Sequence, residues 1–328
     1  SRRTTRRPWF SPLALSVVVL VVTVFPVTID RTSADVIFFT AADLDGPPAW
    51  LALPLVFLAS TVIMTGSGQL VAEAFRDLRP LVAYRTDIIG SLLGIAAFTL
   101  LSWAGTPPVV WGVIVAAGFV ALMAPPRLPI AVAAALLATV AALAAESFVP
   151  GFSWSPYNKL RTAEVQSDAY AVWANGVPHQ VAVNAERRLE SEPQYEAPYA
   201  AAPDRPAGRT LIVGAGTGSD VALALNRGAT VVDAVEIDPG ILDIGNSLHP
   251  DEPYGDDRVV QHVDDGRAFL QRSADAAYDT IIFALPDSLT VVSGSGSLRL
   301  ESYLFTEEAM QEVERTLADD GVFAMYNY

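Results

Sequence analysis

The hydrophobic positions of this chain fall into two regimes that meet near residue 150. Before that point apolar residues run almost unbroken, and five stretches approach the roughly 20 helical residues that a bilayer core requires. They are Leu13–Ile29, Trp50–Gly66, Asp87–Trp103, Val109–Met123 and Leu128–Phe148, with Pro107-Pro108 and Pro125-Pro126 punctuating the connections. Arg2, Arg3, Arg6 and Arg7 precede the first stretch, as in a secretory leader. Its length, its lack of a small-residue cleavage site and the apolar stretches that follow make it an anchor instead. In the third stretch, Gly90 and Gly94 are spaced to let two helix backbones approach in lipid, which is compatible with a homo-oligomer. Asp87, beside Arg85, is expected at or near the end of that span, where it pairs with the arginine or caps the helix; deeper in hydrocarbon it would be a functional group.

Beyond residue 150 the pattern changes to short alternating runs. Ala169–Trp173 and His179–Val183 flank Asn175-Gly176, a dipeptide that favours a tight hairpin. Ala200–Gly208, rich in Ala and Pro, reads as a linker. Thr210 to Val213 then form a buried strand that runs into Gly214-Ala215-Gly216-Thr217-Gly218, followed by a helix from Val221. Glycines there let backbone pass close beneath a ligand. A second strand, Thr230–Val235, ends in Glu236, about twenty residues beyond the first glycine, where a carboxylate can accept from both ribose hydroxyls. Further strands are expected at Arg258–Val263, Tyr278–Leu285 and Val322–Tyr328. Asp264-Asp265-Gly266 closes the first of these; one acid is placed to hold an adenine amino group, the other to cap a helix from Arg267, and Gly266 to let the base lie flat. Thr306 caps a later helix that opens with Glu307 and Glu308.

The predicted organisation is therefore a helical membrane domain over residues 1–150, a small β region over 151–205, and a Rossmann-like α/β domain over 206–328 that stops after its fifth strand. Composition sharpens this. The chain is 52% hydrophobic and only 17% charged, with the surplus of apolar residues in the first half. A net charge of −15 gives no electrostatic reason to bind nucleic acid and favours a cationic small substrate. Absence of cysteine rules out disulfides and thiolate chemistry, and the three histidines are scattered, so no metal is expected.

From about Ser153 onward the chain resembles the spermidine and spermine synthases, aminopropyltransferases that use decarboxylated S-adenosylmethionine, and more narrowly their membrane-bound bacterial branch, which carries a segment like Tyr84–Gly94. The resemblance rests on motifs in the family's order. Ser155-Pro156-Tyr157-Asn158 is similar to an element whose last residue touches the nucleoside. Asn175-Gly176-Val177-Pro178-His179-Gln180 looks like the family's Asp-Gly-Val-x-Gln hairpin, and Glu192-Pro193-Gln194-Tyr195 like its Asp-Glu-x-x-Tyr element. Glu236-Ile237-Asp238 and Asp265-Gly266 match the ribose and adenine contacts, and Leu304-Phe305-Thr306 the segment before a helix. The resemblance implies a transferase that binds decarboxylated S-adenosylmethionine or S-adenosylmethionine through Asn158, Gly214, Gly216, Gly218, Glu236, Asp265 and Gly266. It implies amine-substrate contacts at Gln180 and Tyr195.

Two positions depart from the family pattern. Thr217 stands where the family's glycine loop carries an Asp for the aminopropyl amine. After the fourth strand the family has Asp-Ser-x-Asp-Pro, whereas this chain reads Ala284-Leu285-Pro286-Asp287-Ser288, so Asp287 is the surviving candidate for the catalytic base. Asp220 is a candidate to replace the lost acid. These changes leave open a methyltransferase acting on a lipid or membrane-delivered acceptor, and a membrane protein that senses a nucleoside without catalysis. Ser293–Ser297 is placed where a lid would close. Arginine distribution puts the N-terminus in the cytoplasm. Five spans would carry the last domain to the opposite side, yet its ligand is supplied in the cytoplasm, so a cytoplasmic domain is expected despite the span count.

Overall fold

The computed structural model describes residues 8–24, 49–123, 128–284 and 300–325, and divides into two units, 1–152 and 153–328.

In the first unit five helices follow one another: α1 (Phe10–Val24), α2 (Ala49–Asp77), α3 (Pro80–Trp103), α4 (Pro108–Met123) and α5 (Ile130–Ser147). α1 packs on α2 and α5, and α4 packs on α5. The α1–α2 contact is close because Gly66 has no side chain. A Cβ there would collide with Ser11, whose hydroxyl donates to the Ile63 carbonyl at 3.0 Å. Ser147 on α5 accepts from Val109 N at 3.0 Å, satisfying an orphan donor at the start of α4.

Three of the helices, Leu53–Asp77 within α2, α3 and α5, are long and apolar enough to cross a membrane by length and composition. Among the described residues α1 has 15 residues and α4 has 16, and the expected first span continues past Val24 outside the described residues. The third helix starts earlier than the apolar stretch expected there. Pro80 occupies the first helical turn after an extended Arg79, and nothing breaks the helix before Trp103, so Asp87 lies well inside α3. Among the described residues, Gly90 and Gly94 have no neighbour within 4 Å of where a Cβ would stand.

The second unit opens with a four-stranded sheet in the order β1 (Phe152–Trp154), β2 (Lys159–Gln166), β3 (Ala169–Ala174) and β4 (Val177–Ala182). The β3–β4 turn is the expected Asn175-Gly176 pair, both residues at positive φ. Two short helices, α6 (Ala185–Ser191) and α7 (Ala197–Ala200), lead into the main domain.

There the elements alternate: β5 (Gly208–Val213), α8 (Ser219–Asn226), β6 (Ala229–Glu236), α9 (Pro239–Leu248), β7 (Val259–Val263), α10 (Gly266–Arg272), β8 (Tyr278–Phe283), α11 (Glu307–Thr316) and β9 (Leu317–Met325). The sheet is parallel throughout, in the order β7-β6-β5-β8-β9. The order reverses at β5, and in such sheets the crevice beyond the strands' C-terminal ends at that reversal receives the ligand. β9 starts five residues before its expected position, since its ladder with β8 already begins at Leu317. Alternation along β5 supplies both faces of the core. Ile212 packs with α8 residues such as Val221 and Ala224, whereas Leu211 and Val213 pack with Leu270, Phe283 and Val313.

One acid ties four of these strands together. Asp233 on β6, 6% exposed, accepts from Tyr278 Oη of β8 at 3.1 Å and faces His262 Nε2 of β7 at 2.9 Å. Arg209 of β5 reaches the same carboxylate at 3.4 Å. Burial, with the Asp233 charge, pushes the Tyr278 hydroxyl up to about 12, so it remains a donor. Replacing Asp233 by Ala removes the carboxylate acceptor of that hydroxyl and should destabilise the domain by about 1–3 kcal/mol. Adding Tyr278→Phe to Asp233→Ala should then cost little more. Thermal unfolding of the two single variants and the double variant measures this, and full additivity would contradict the coupling.

Candidate functional site

The chain leaves β5 into a loop in which Gly214, Gly216 and Gly218 have φ of 79°, 58° and 104°. This left-handed path turns the backbone N–H groups inward, and a buried carboxylate meets them. Glu236, the last residue of β6, accepts from Gly216 N at 2.9 Å through Oε2 and from Asp238 N at 3.0 Å through Oε1. Each oxygen keeps a second lone pair for a ligand donor. Burial raises the pKa of Glu236, and the backbone N–H groups of Asp238 and Gly216 oppose the rise. Tyr254 holds the other side of the loop. Its buried hydroxyl donates to the Gly216 carbonyl at 2.7 Å, and burial together with the Glu236 charge pushes its pKa well above the ordinary value.

The β3–β4 hairpin reaches the same loop. Gln180 Oε1 accepts from both the backbone N and the hydroxyl of Thr217, each at 3.0 Å. Gly216 has to be glycine here: beyond its positive φ, a Cβ would lie 2.7 Å from that oxygen. Gln180, expected to meet the amine substrate, thus holds the glycine loop. Thr217, at the position of the missing acid, is fully buried and serves as its partner.

Asn158 belongs to a second link between the small sheet and the ligand edge. Its Nδ2 donates to Asp238 Oδ2 at 2.8 Å, and Ser155 Oγ donates to the same oxygen at 2.7 Å. Asp238 Oδ1 caps α9 by accepting from Gly240 N at 2.8 Å. The Asn175 amide completes the chain by donating to Asn158 Oδ1 at 2.8 Å.

The two acids after β7 divide their work. Asp265 is the cap of α10, accepting from Ala268 N at 2.8 Å, and Asp264 pairs with Arg272. The helix begins at Gly266, one residue before the expected Arg267. A Cβ at Gly266 would collide with Val213 of β5 and stand 3.5 Å from Leu304. Close packing of α10 on the sheet demands this glycine.

Tyr195 is 8% exposed, and the Arg188 guanidinium lies 5.1 Å from the centre of its ring. Arg188 is itself buried, donates to Glu192 and to the Val181 carbonyl, and extends to Ser219 Oγ at 3.5 Å. The face of Tyr195 it covers is therefore occupied by a cation of the protein. Asp220 is also buried, in the first turn of α8, where its charge raises the pKa of both Tyr199 and Tyr254. Ala284 follows β8 and is buried, its N–H donating to the Val213 carbonyl at 2.9 Å. Asp287 and the Ser293–Ser297 segment lie outside the described residues.

Asn158, Gln180, the glycine loop and Glu236 are thus joined by direct bonds or through Asp238 at one sheet edge. Sequence reasoning missed Tyr254 and Arg188. Tyr254 sits in a turn without a local pattern, and Arg188 lies in a charge-rich helix that reads as a solvated face.

Parallel strands in this order, a glycine loop at the reversal and an acid ending the second strand define a Rossmann-type α/β domain. Residues 204–327 match the spermine/spermidine synthase domain family. A spermidine synthase of Coffea arabica is 30% identical over 117 residues, 35% of this chain and 34% of that protein. A polyamine aminopropyltransferase of Prochlorococcus marinus is 28% identical over 118 residues, 35% of this chain and 38% of its own length. The matches therefore span little more than a third of these curated relatives. Among solved structures, a probable spermidine synthase from Corynebacterium glutamicum aligns with TM-score 0.41 and 21% identity, over 54% of this chain and 63% of that one.

Because the folded state raises the pKa of Glu236, its titration favours folding most below the unfolded value of 4.5. That contribution is lost as the pH rises through the higher folded value. Glu236→Gln removes the titration. The stability difference between the wild type and this variant should therefore shift against the wild type as pH rises from about 4 to 8. Unfolding midpoints across that range test it, and a pH-independent difference would contradict the burial argument.

Proposed function

We propose that this chain is a transferase that binds an adenosyl sulfonium, decarboxylated S-adenosylmethionine or S-adenosylmethionine, and alkylates an amine-type acceptor in the manner of the polyamine aminopropyltransferases. The observation that carries the reading is the Glu236 carboxylate, which ends β6 and is bonded to the glycine loop where the sheet order reverses. The family match over residues 204–327 supports the same ligand class. Asn158 and Asp265 flank the nucleoside in this reading, and Gln180 shapes the loop beneath it.

The chemistry asks little of the protein. The acceptor nitrogen attacks the carbon bonded to the sulfonium, a nitrogen–carbon bond forms, and the carbon–sulfur bond breaks with its electron pair passing to sulfur. The leaving group is a neutral thioether, so alignment and one proton acceptor suffice. Asp287, in the segment that follows β8 at the ligand edge, is the proposed acceptor. The long apolar helices support a membrane-bound enzyme with its catalytic domain on the cytoplasmic side, where the donor is made. Thr217 and Ala284, which stand at two acidic positions of the family pattern, favour one alternative: methyl transfer to a lipid or membrane-delivered acceptor.

Calorimetry on the purified chain should show methylthioadenosine binding, weakened by about 1.5–3 kcal/mol in Glu236→Ala. An unchanged affinity would remove Glu236 from the ribose site. Asp287→Asn should lower turnover about a hundredfold or more, roughly the lower end of a positioned base's contribution, while nucleoside affinity stays nearly constant. Undiminished turnover would exclude Asp287 as the base.

A further inference from the structure

One peptide unit of the glycine loop is gripped from two directions. The carbonyl of Gly216 accepts from Tyr254 Oη at 2.7 Å, and the N–H of Thr217 donates to Gln180 Oε1 at 3.0 Å. These two groups belong to the same planar amide and point to opposite sides of it. Tyr254 comes from the turn Pro253–Gly255 between α9 and β7, whereas Gln180 comes from β4 of the small sheet. Gly216 is thereby bonded at both of its ends, since its own N–H donates to Glu236 Oε2 at 2.9 Å.

The grip matters because the segment has alternatives. A glycine takes positive and negative φ about equally well, so turning over the amide that follows Gly216 meets little local resistance. Such a turn would take the acceptor from the Tyr254 hydroxyl and carry the Thr217 N–H away from Gln180. Tyr254 is 5% exposed and Thr217 is fully buried, so water does not replace the lost partners. Close packing holds the same path. A Cβ at Gly218 would lie 2.7 Å from Pro253 and 3.2 Å from the Tyr254 ring. One at Gly245 of α9 would lie 2.6 Å from both the Thr217 carbonyl oxygen and that ring.

Resting on the adenosyl-sulfonium reading above, we propose that Tyr254 is a positioning residue for the nucleoside site. Together with Gln180 it clamps the amide between Gly216 and Thr217, and the clamp keeps the Gly216 N–H on Glu236. Tyr254 acts through the loop, by holding it in the path that binds. The two grips come from distant segments yet hold one rigid unit, so losing either releases it. Apparent affinity follows the fraction of molecules whose loop is in the binding path. Removing the second grip after the first should therefore change little.

Calorimetry with methylthioadenosine on the purified full chain should show affinity about fivefold weaker in Tyr254→Phe, which keeps the ring and loses only the hydroxyl. Gln180→Met removes the acceptor at similar length and should weaken binding by a similar factor, with little further loss in the double variant. Gln180→Glu restores an oxygen opposite the Thr217 N–H and should recover most of the affinity, a rescue that lost packing alone would not give. Hydrogen exchange over residues 214–218 without ligand should quicken in Tyr254→Phe, although the lost hydroxyl bonds a carbonyl and no N–H of the loop. Should Tyr254→Phe not fold, the Met and Glu substitutions at Gln180 read the same clamp from the hairpin. Unchanged affinity or exchange in folded variants, or full additivity in the double variant, overturns the clamp and leaves the adenosyl reading standing. No binding of methylthioadenosine by the wild type overturns the adenosyl reading and the positioning role with it.

Discussion

The ligand edge of this domain depends on one buried carboxylate. Glu236 ends β6 with no neighbouring cation to balance it among the described hydrogen bonds. Its compensation comes from backbone N–H groups, of Gly216 in the loop after β5 and of Ile237 and Asp238 ahead of α9. A buried acid so placed is costly to ionise unless those donors stay where they are. The loop geometry and the acid therefore hold each other: positive φ at Gly214 and Gly216 presents the N–H, and the carboxylate rewards that path over the alternatives open to a glycine-rich segment. Tyr254 and Gln180 close the remaining directions, so the loop is bonded from the sheet, from a following turn and from the small β unit.

That arrangement gives the four-stranded sheet a purpose beyond leading into the domain. Its hairpin supplies Gln180, and its opening turn supplies Ser155 and Asn158, both bonded to Asp238. Asp238 also caps α9 and donates its N–H to Glu236. A single short stretch of chain, Glu236 to Gly240, thereby collects bonds from the glycine loop, the small sheet and a helix start.

Much of this was legible in the sequence because the decisive features are local. A buried run, three closely spaced glycines, a helix and a strand ending in an acid can be read residue by residue, and Asn175-Gly176 marks its own turn. What sequence reading lost is three-dimensional. Nothing local announces the bonds from Thr217 to Gln180, and the contact of Gly266 with Val213 is invisible in one dimension. In the apolar half, hydropathy shows where apolar residues lie, yet helix length is set by the backbone, and α3 extends back through Asp87 to Pro80.

The close approach of Gln180 to Gly216 has a consequence for how such a sequence can change. The amide oxygen fills the space a Cβ would need, so the two positions are a single volume shared by distant parts of the chain. At 216 the positive φ strains any side chain whatever residue stands at 180, so room made in the hairpin does not by itself admit one. Shortening 180 in turn strips the Thr217 N–H of its acceptor, so a change in this hairpin is felt in a loop that belongs to another sheet.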